Sequence, residues 1–253
     1  MDQKRQTFEC FGLVLHGFSL EEALQRIELI NAEGKQAFVV TANPEILLEA
    51  KRNPAYWQNL HQADLRLVDG FGLKLIGNLK GAHPTRVTGV NFAEALLQMA
   101  HTKNWKVALI GGADGIADKA AWDIRKSYPT LQITSEEGGM VDKNGSEDEK
   151  NAEAKFRLTQ YAPDILLVAF GHPKQEAWIV RNLGELPSVK VAVGVGGTFD
   201  YWSGTKKRAP HVFQSFGLEW LWRLITEPSR WKRIWDAVIV FPIMALADKK
   251  TSK

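Results

Sequence analysis

Short, mostly apolar runs alternate with helical patterns along most of this chain, and this alternation limits the possible folds more than any other feature. Residues 105–110, 165–170 and 189–195 have the length and composition of buried strands, and segments with helical spacing separate them. A repeated strand–helix–strand order predicts parallel strands, because each connecting helix must cross a face of the sheet. We therefore predict an α/β fold: a Rossmann-like, mostly parallel sheet with helices on both faces, plus a helical appendage at the carboxyl terminus.

Local signals place the other elements. Ser19 and Glu22 have the spacing of a capping box and predict a helix that Gly34 ends. Asn43, followed by Pro44, predicts the start of another helix. Further strands are predicted at 8–16, 36–42, 64–68 and 131–135. Further helices are predicted at 54–62, 71–79, 92–103, 116–127, 146–161 and 176–182.

The composition excludes several classes of protein. With 253 residues, 45% of them hydrophobic, the chain can bury a large core. Cys10 is the only cysteine, which excludes an intramolecular disulfide and a cysteine-based zinc site and fits a reducing cytoplasm. The six histidines show no metal-binding spacing, so we expect a metal-independent protein without a cofactor. We also expect no signal peptide and no membrane span, since the longest apolar run, 237–247, is too short.

Positive charge is concentrated in the last fifth of the chain. Residues 203–253 contain ten Lys and Arg against four acidic residues, a net charge of +6, whereas the rest of the chain carries −3. We divide the chain into an α/β catalytic core, 1–203, and a basic, tryptophan-rich helical appendage, 204–253. Two helices are predicted in the appendage, one ending at Thr226 and one over 229–248. We expect that cutting after Gly204 leaves a folded core without membrane binding or turnover.

The appendage contains four of the nine tryptophans, interleaved with basic residues. This pattern favours an anionic membrane surface, where indole rings and cations both find partners. A helical hairpin that packs its tryptophans on the core explains the pattern equally well. Nucleic-acid binding ranks below both because the charge lies in an amphipathic, membrane-like pattern. The four tryptophans are Trp220, Trp222, Trp231 and Trp235.

Four polar loops follow predicted strand ends. In a parallel sheet such loops emerge at one edge, which is where open α/β sheets bind ligands. Asp69 stands at the end of a strand, where it is a candidate general base, although a carboxylate in that place can equally cap the next helix. The loops are 41–45, 69–72, 171–176 and 196–200.

Other motifs carry less information. The turn Gly111-Gly112-Ala113-Asp114-Gly115 resembles a phosphate-binding turn, but a tight turn required by packing is at least as good an explanation. The chain lacks the dinucleotide fingerprint, which disfavours an oxidoreductase, and it lacks a P-loop lysine. No Gly-x-Ser-x-Gly elbow is present, so nucleophilic hydrolysis has little support.

A set of short motifs is spread over residues 8–233. They are TANPE at 41–45, DGFG at 69–72, RVTG at 86–89, FG and PKQE within 170–176, GVGGTFD at 194–200, RAP at 208–210, and LEW through Arg223, Glu227-Pro228 and Arg230. Together, and in this order, they resemble the WecG/TagA/CpsF glycosyltransferases. The resemblance implies an inverting, metal-independent enzyme that moves a sugar from a UDP donor to an acceptor sugar linked to polyprenyl diphosphate. The sugar would be N-acetylmannosamine or its uronic acid, used for cell-surface polysaccharide.

The resemblance also implies roles for individual residues. Asp69 would be the general base, because an acceptor hydroxyl is a poor nucleophile until it loses its proton. Arginines would stabilise the departing diphosphate. The donor sugar would be held by Thr41, Asn43, Arg86 and Gln175, and the arginines would be Arg208, Arg223 and Arg230. Asp200, with the preceding glycines that include Gly196, would lie near the uridine. Gly111 and Gly171 are further candidate substrate-binding residues.

Two residues depart from the family pattern, Asn91 in place of an acid and His172 in place of a small or aliphatic residue. The resemblance implies a cytoplasmic protein that is peripheral on the inner face of the membrane. The alternative is a non-catalytic nucleotide-binding module tethered by its basic tail. The sequence leaves open the donor and acceptor sugars, the polysaccharide, and whether the chain forms a homo-oligomer.

Overall fold

The sheet organises the molecule. The structure is a computed structural model that describes residues 6–248. Its eight strands lie in the order β1-β2-β4-β3-β8-β7-β5-β6, and all neighbours are parallel except β1 and β2. This confirms the predicted mostly parallel sheet. The strands are β1 Thr7–Cys10, β2 Leu13–His16, β3 Ala37–Ala42, β4 Leu65–Val68, β5 Val107–Gly111, β6 Ile133–Glu136, β7 Ile165–Ala169 and β8 Val191–Gly194.

Helices cover both faces of the sheet, because each parallel connection has to cross one face. One face packs against Leu47, Tyr56 and Trp178, and the other against Ile27 and Phe92, all buried. The helices are α1 Leu20–Ala32, α2 Pro44–Arg52, α3 Pro54–His61, α4 Phe71–Leu79, α5 Gly89–Lys103, α6 Ile116–Ser127, α7 Glu149–Tyr161, α8 Lys174–Asn182, α9 Thr198–Trp202, α10 His211–Ser215, α11 Glu219–Thr226, α12 Trp231–Trp235 and α13 Phe241–Ala247.

The segment 8–16 was wrongly predicted as one strand and forms a hairpin. Phe11 and Gly12 have φ angles of 53° and 76°, so both central residues of the turn lie in the left-handed region. Such a two-residue turn matches the twist of the flanking strands and reverses the chain. β1 therefore pairs antiparallel with β2, which pairs parallel with β4.

Side-chain caps account for several helix starts. The capping box of Ser19 and Glu22 is present, and Asn43 caps α2 as predicted. α5 begins at Gly89, three residues before the predicted start, because the Thr88 side chain accepts the amide hydrogen of Asn91. α7 begins three residues later than predicted because Asp148 is its cap. The short helix α9 lies in a segment that was predicted as a loop.

The carboxyl-terminal segment is more broken than predicted. α10 and α11 replace the single helix that was predicted to end at Thr226. Between Pro228 and Ala247 the chain is continuously helical, but it starts as a 3-10 turn and has a π turn at Asp236–Val240. The π turn precedes Pro242, which lacks the amide hydrogen that a regular α-helix would need there.

The end of this segment packs into the core. Phe241 and Ala245 have no solvent exposure and join the cluster on the face of the sheet that carries α2, α3 and α8. Arg52 on α2 pairs with Asp236 at 3.0 Å. Trp231 and Trp235, by contrast, are more than half exposed, so packing on the core does not describe them. Within 6–248, no helix combines the length and apolar character needed to cross a bilayer.

Candidate functional site

The carboxyl ends of four neighbouring strands lie along one edge of the sheet, which we call the rim. Ala42 on β3 lies opposite Val68 on β4, and Gly194 on β8 lies between Val40 on β3 and Val168 on β7. The helix after β3, α2, packs on one face of the sheet, whereas the helix after β8, α9, packs on the other face through Phe199. The boundary between β3 and β8 is therefore a topological switch point, where α/β sheets leave a crevice for ligands. The four loops predicted to meet follow these strands.

Asp69 lies directly after β4 with its carboxylate at this rim. Its amide donates to the carbonyl oxygen of Ala42 at 2.7 Å, which continues the sheet pairing by one residue. The amide of Gly89 donates to Asp69 Oδ2 at 3.2 Å. Burial raises the pKa of Asp69 to about 6, although the Gly89 amide and the charges of Arg86 and Arg223 act in the opposite direction. A carboxylate with this pKa is poised to accept a proton near neutral pH.

Two arginines approach Asp69 from different parts of the chain. Arg86 pairs with Glu219 on α11 and donates to the carbonyl of Gln214 at 3.2 Å. Arg223, one helical turn beyond Glu219, donates to the Tyr201 hydroxyl at 3.1 Å. The carboxyl-terminal segment therefore covers the rim and brings a cation and a carboxylate next to the candidate base.

Thr41 and Asn43 lie on the same part of the rim. Thr41 is buried, and its Oγ1 packs so close to Gly89 that a Cβ there would lie 2.9 Å away. Asn43 accepts the amide hydrogen of Ile46 at 3.0 Å, and its Cβ would lie 4.0 Å from a Cβ at Gly70. Thr41 thus lies beside the glycine whose amide donates to Asp69, and Asn43 beside the glycine that follows Asp69 in the chain.

Gln175 joins the two neighbouring loops. Its Oε1 accepts the amide hydrogens of Gly171 at 3.2 Å and Gly196 at 3.1 Å, so one side chain connects the ends of β7 and β8. Its Nε2 donates to Glu176 at 2.7 Å, and the Tyr56 hydroxyl donates to the same carboxylate at 3.0 Å. Burial raises the pKa of Glu176, and these two hydrogen bonds oppose the shift. Gln175 is buried and held at both ends of its amide.

Gly111, at the end of β5, lies against its neighbours. A Cβ there would be 2.9 Å from the Phe170 ring, and the amide of Gly112 donates to Ala169 at 3.1 Å. These contacts account for the two glycines through packing and sheet geometry. A role for Gly111 in nucleotide binding stays a prediction.

Asp200 and Arg230 belong to one chain of ion pairs. Asp200 on α9 pairs with Lys206 at 3.1 Å, and Lys206 lies 3.6 Å from Glu227. Arg230 in turn pairs with Glu227 at 2.6 Å. The network ties the loop after β8 to the carboxyl-terminal segment.

Arg208 lies against the start of α5. It donates to the side-chain oxygen of Asn91 and lies 3.7 Å from Glu94. Asn91, one of the two departures from the family pattern, is thus a neutral partner of this arginine.

His172, the other departure, faces α2 and the carboxyl-terminal segment. Its Nε2 is 3.9 Å from Glu45, and Arg233 pairs with the same carboxylate at 2.8 Å. Burial lowers the pKa of His172. The histidine is therefore part of the contact between α2 and α12 and does not touch Asp69.

A second cleft lies at the far edge of the sheet, at the end of β6. Its charged side chains are already paired, Lys150 with Glu137 at 3.1 Å and Arg157 with Glu136 at 2.8 Å. We place the site at the switch point, where charges gather around a partly buried carboxylate. Within residues 6–248, no three His, Cys, Asp or Glu side chains are grouped closely enough to hold a metal ion.

Sequence reasoning missed several residues of this site. Glu219 had a usable signal, because it lies four residues before Arg223 on a helix and so shares its face. Glu176 and Tyr56 had none, since their contact depends on α3 packing against α8. Tyr201, which holds Arg223, lies in a helix that was not predicted.

Comparisons with known proteins agree with this picture. The family model described as the glycosyl transferase WecG/TagA/CpsF family matches residues 8–253. A Bacillus spizizenii protein named N-acetylglucosaminyldiphosphoundecaprenol N-acetyl-beta-D-mannosaminyltransferase is 37% identical over 203 residues, 80% of this chain and 76% of that protein. A Staphylococcus aureus protein of the same name is 34% identical over 236 residues, 91% of this chain and 90% of that protein. The chain therefore belongs to the WecG/TagA/CpsF family of glycosyltransferases.

Proposed function

We propose that this glycosyltransferase moves N-acetylmannosamine, or its uronic acid, from a UDP donor to an acceptor sugar on polyprenyl diphosphate, for a cell-surface polysaccharide. The observation that carries the proposal is the rim arrangement, with Asp69 at the switch point of the sheet and the charges of Arg86 and Arg223 acting on its carboxylate. The named activity of the two relatives supplies the sugar and the class of acceptor.

In this proposal Asp69 accepts the proton of the acceptor hydroxyl. The hydroxyl oxygen then forms a bond to the anomeric carbon of the donor on the face opposite UDP, and the bond from that carbon to the UDP oxygen breaks. The proton ends on Asp69, and UDP leaves with the electron pair. Attack from the opposite face inverts the anomeric configuration, which agrees with the beta linkage in the relatives' name.

Cations stabilise the charge that develops on UDP. The charge of Arg223 acts on Asp69, and we assign Arg223, Arg208 and Arg230 together to this diphosphate. Guanidinium groups suit this task because they stay charged and offer two donors to phosphate oxygens. With three such groups the reaction needs no metal ion.

The donor is held by the loops around Asp69. We assign the sugar to Thr41, Asn43 and Arg86, and the uridine to the loops that contain Gly171, Gly196 and Asp200. Gln175 acts mainly by joining those two loops, because both ends of its amide already have protein partners. The enzyme works as a peripheral protein on the inner membrane face, with its basic segment against anionic lipid.

A donor screen tests the proposal. The full chain is incubated with individual UDP-sugars and a synthetic acceptor sugar on polyprenyl diphosphate, with and without a chelator, and the product linkage is read by NMR. We expect one β-linked product with N-acetylmannosamine or its uronic acid, unaffected by the chelator. Release of UDP without sugar transfer, or binding of UDP without any product, would contradict the proposal, and the second result would favour a non-catalytic module.

A further inference from the structure

Helix α4 belongs to the α/β core, yet it exposes a row of large apolar side chains. Phe71, Leu75 and Leu79 follow at intervals of four residues and are 51%, 45% and 62% exposed. Residues with this spacing lie on one face of a helix. Single exposed leucines are ordinary on protein surfaces, but a continuous row marks an interaction surface. Leu73 and Ile76, which point to the core, are fully buried.

Apolar residues of the carboxyl-terminal segment extend this row on both sides. The Phe71 side chain packs on Gly217, between the exposed Phe216 and Leu218. On the other side α4 packs along α13, which exposes Ile243 and Leu246. We call this combined surface the apolar face. It consists of Phe71, Leu75, Leu79, Phe216, Ile243 and Leu246.

The helical segment 228–247, which carries Ile243 and Leu246 of the apolar face, also indicates the partner of this face. Trp231 and Trp235 are more than half exposed, and the Lys232 ammonium lies 5.5 Å from the centre of the Trp231 ring. Exposed indole rings and cations beside an apolar surface match the interface of a bilayer, where rings lie at the headgroup level and cations meet anionic lipid. The net charge of +6 over residues 203–253 favours anionic lipid over a neutral apolar partner.

We propose that helix α4 inserts its exposed row into the hydrocarbon layer of the membrane, together with the carboxyl-terminal segment. The membrane contact then includes the core, because α4 begins two residues after Asp69. Docking on this face brings the rim close to the headgroup level. That position suits an acceptor whose diphosphate lies at the headgroups, and this consequence rests on the proposed function.

Vesicle binding by the full chain tests the proposal. The double variant Leu75→Gln/Leu79→Gln removes two exposed side chains without touching the core or the rim. The matched control, Leu29→Gln/Phe156→Gln, changes two residues of α1 and α7 that are 56% and 64% exposed. Binding is measured on vesicles of phosphatidylcholine with about 30% phosphatidylglycerol. We expect the α4 variant to lose at least about tenfold in partition coefficient, which corresponds to about 1.4 kcal/mol, and the control to change less than about twofold.

Two further measurements separate the possible outcomes. Urea midpoints of both variants equal to that of the wild type will show that they remain folded. Vesicle binding by the α4 variant equal to that of the control overturns the proposal. If that binding stays equal while the KM for a long-chain acceptor in detergent rises relative to a short-chain one, α4 binds a single prenyl chain, and the bilayer assignment is wrong. Vesicle binding needs no turnover, so failure of the proposed transfer reaction would leave this result unaffected.

Discussion

At the scale of single residues, the environment of Asp69 determines its chemistry. A carboxylate in water releases its proton near pH 4, too readily to serve as a strong base. Partial burial at the end of β4 raises the pKa to about 6, while the Gly89 amide and two arginines keep the charged form accessible. In the proposed mechanism, this balance between burial and its partners suits Asp69 to act as the general base near neutral pH.

Replacing Asp69 with Asn is expected to lower kcat by at least about a hundredfold, which is the range for loss of a general base. Folding raises the pKa of Asp69 from its ordinary value of 3.8 to about 6, so the protonated side chain favours the folded state. This contribution to stability is fully present below pH 3.8 and is lost as the pH rises through about 6. The Asn variant should therefore be more stable at pH 7, by at most about 3 kcal/mol before its partial solvent access is allowed for. Steady-state kinetics and urea unfolding measure the two effects, and full activity in the variant would remove Asp69 from its role.

The same residue predicts a pH profile. Because only the ionised carboxylate accepts a proton, kcat/KM of the wild type should rise with pH, by about tenfold per unit below its pKa, and level off above about 6. The residual activity of the Asn variant should lack this rise. A wild-type profile that is flat between about pH 5 and 7 would be inconsistent with the assignment.

Gly194 offers a test of the link that Gln175 makes between Gly171 and Gly196, which we call the Gln175 brace. A Cβ at this position would clash with the Gln175 amide, so Gly194→Ala must displace the side chain that joins the loops after β7 and β8. We expect kcat/KM to fall by at least about tenfold and stability by about 1–3 kcal/mol. Gly184→Ala is the control, because nothing lies within 4 Å of a Cβ there. Equal activity of the two variants would show that the brace does not matter.

At the scale of elements, the carboxyl-terminal helices have two functions in the fold. α11 covers the rim and carries Glu219 and Arg223 to the base, whereas α13 packs into the core beside α2 and α4. The segment that connects α11 and α13 is attached to α2 by the ion pair of Arg52 with Asp236. The part of the chain that supplies the arginines is therefore held by apolar packing at its far end.

Phe241→Ala tests this attachment. The ring has no exposure and lies 6.0 Å from the Phe11 ring in an edge-to-face contact, so its loss should reduce the free energy of unfolding by about 3–5 kcal/mol. Ile243→Ala, two residues away and 64% exposed, should change it by less than about 0.5 kcal/mol. Urea unfolding of both variants measures the difference. Similar values would mean that α13 contributes little to the fold.

At the scale of the whole molecule, the positive charge is concentrated in the carboxyl-terminal part of the chain. Residues 203–253 carry a net charge of +6 and include the exposed Trp231 and Trp235, while the remainder carries −3. In the proposed docking, a long-range attraction to anionic lipid would orient the molecule before any apolar side chain makes contact.

Salt should therefore weaken membrane binding. Raising the ionic strength from about 0.1 M to about 1 M shortens the screening length from about 10 Å to about 3 Å. We expect the partition coefficient on anionic vesicles to fall at least tenfold, since each basic residue near the surface contributes about 1 kcal/mol. Co-sedimentation measures this, with neutral vesicles as the control that salt should hardly affect. Binding to anionic vesicles that does not respond to salt would show that charge plays no part.

The sequence by itself determined the parallel sheet, the rim loops and the place of Asp69, because these follow from local signals: apolar period, caps and turn residues. The same local reasoning missed the turn of Phe11 and Gly12, where a phenylalanine adopts a positive φ inside a run of strand-like residues. Only the tertiary structure decided that Glu219 and Arg223 approach Asp69, that Gln175 joins two loops, and that α4 keeps an exposed apolar row. Each of these depends on which surfaces meet between elements far apart in the chain, and such contacts arise from the packing of the whole molecule rather than from any local pattern.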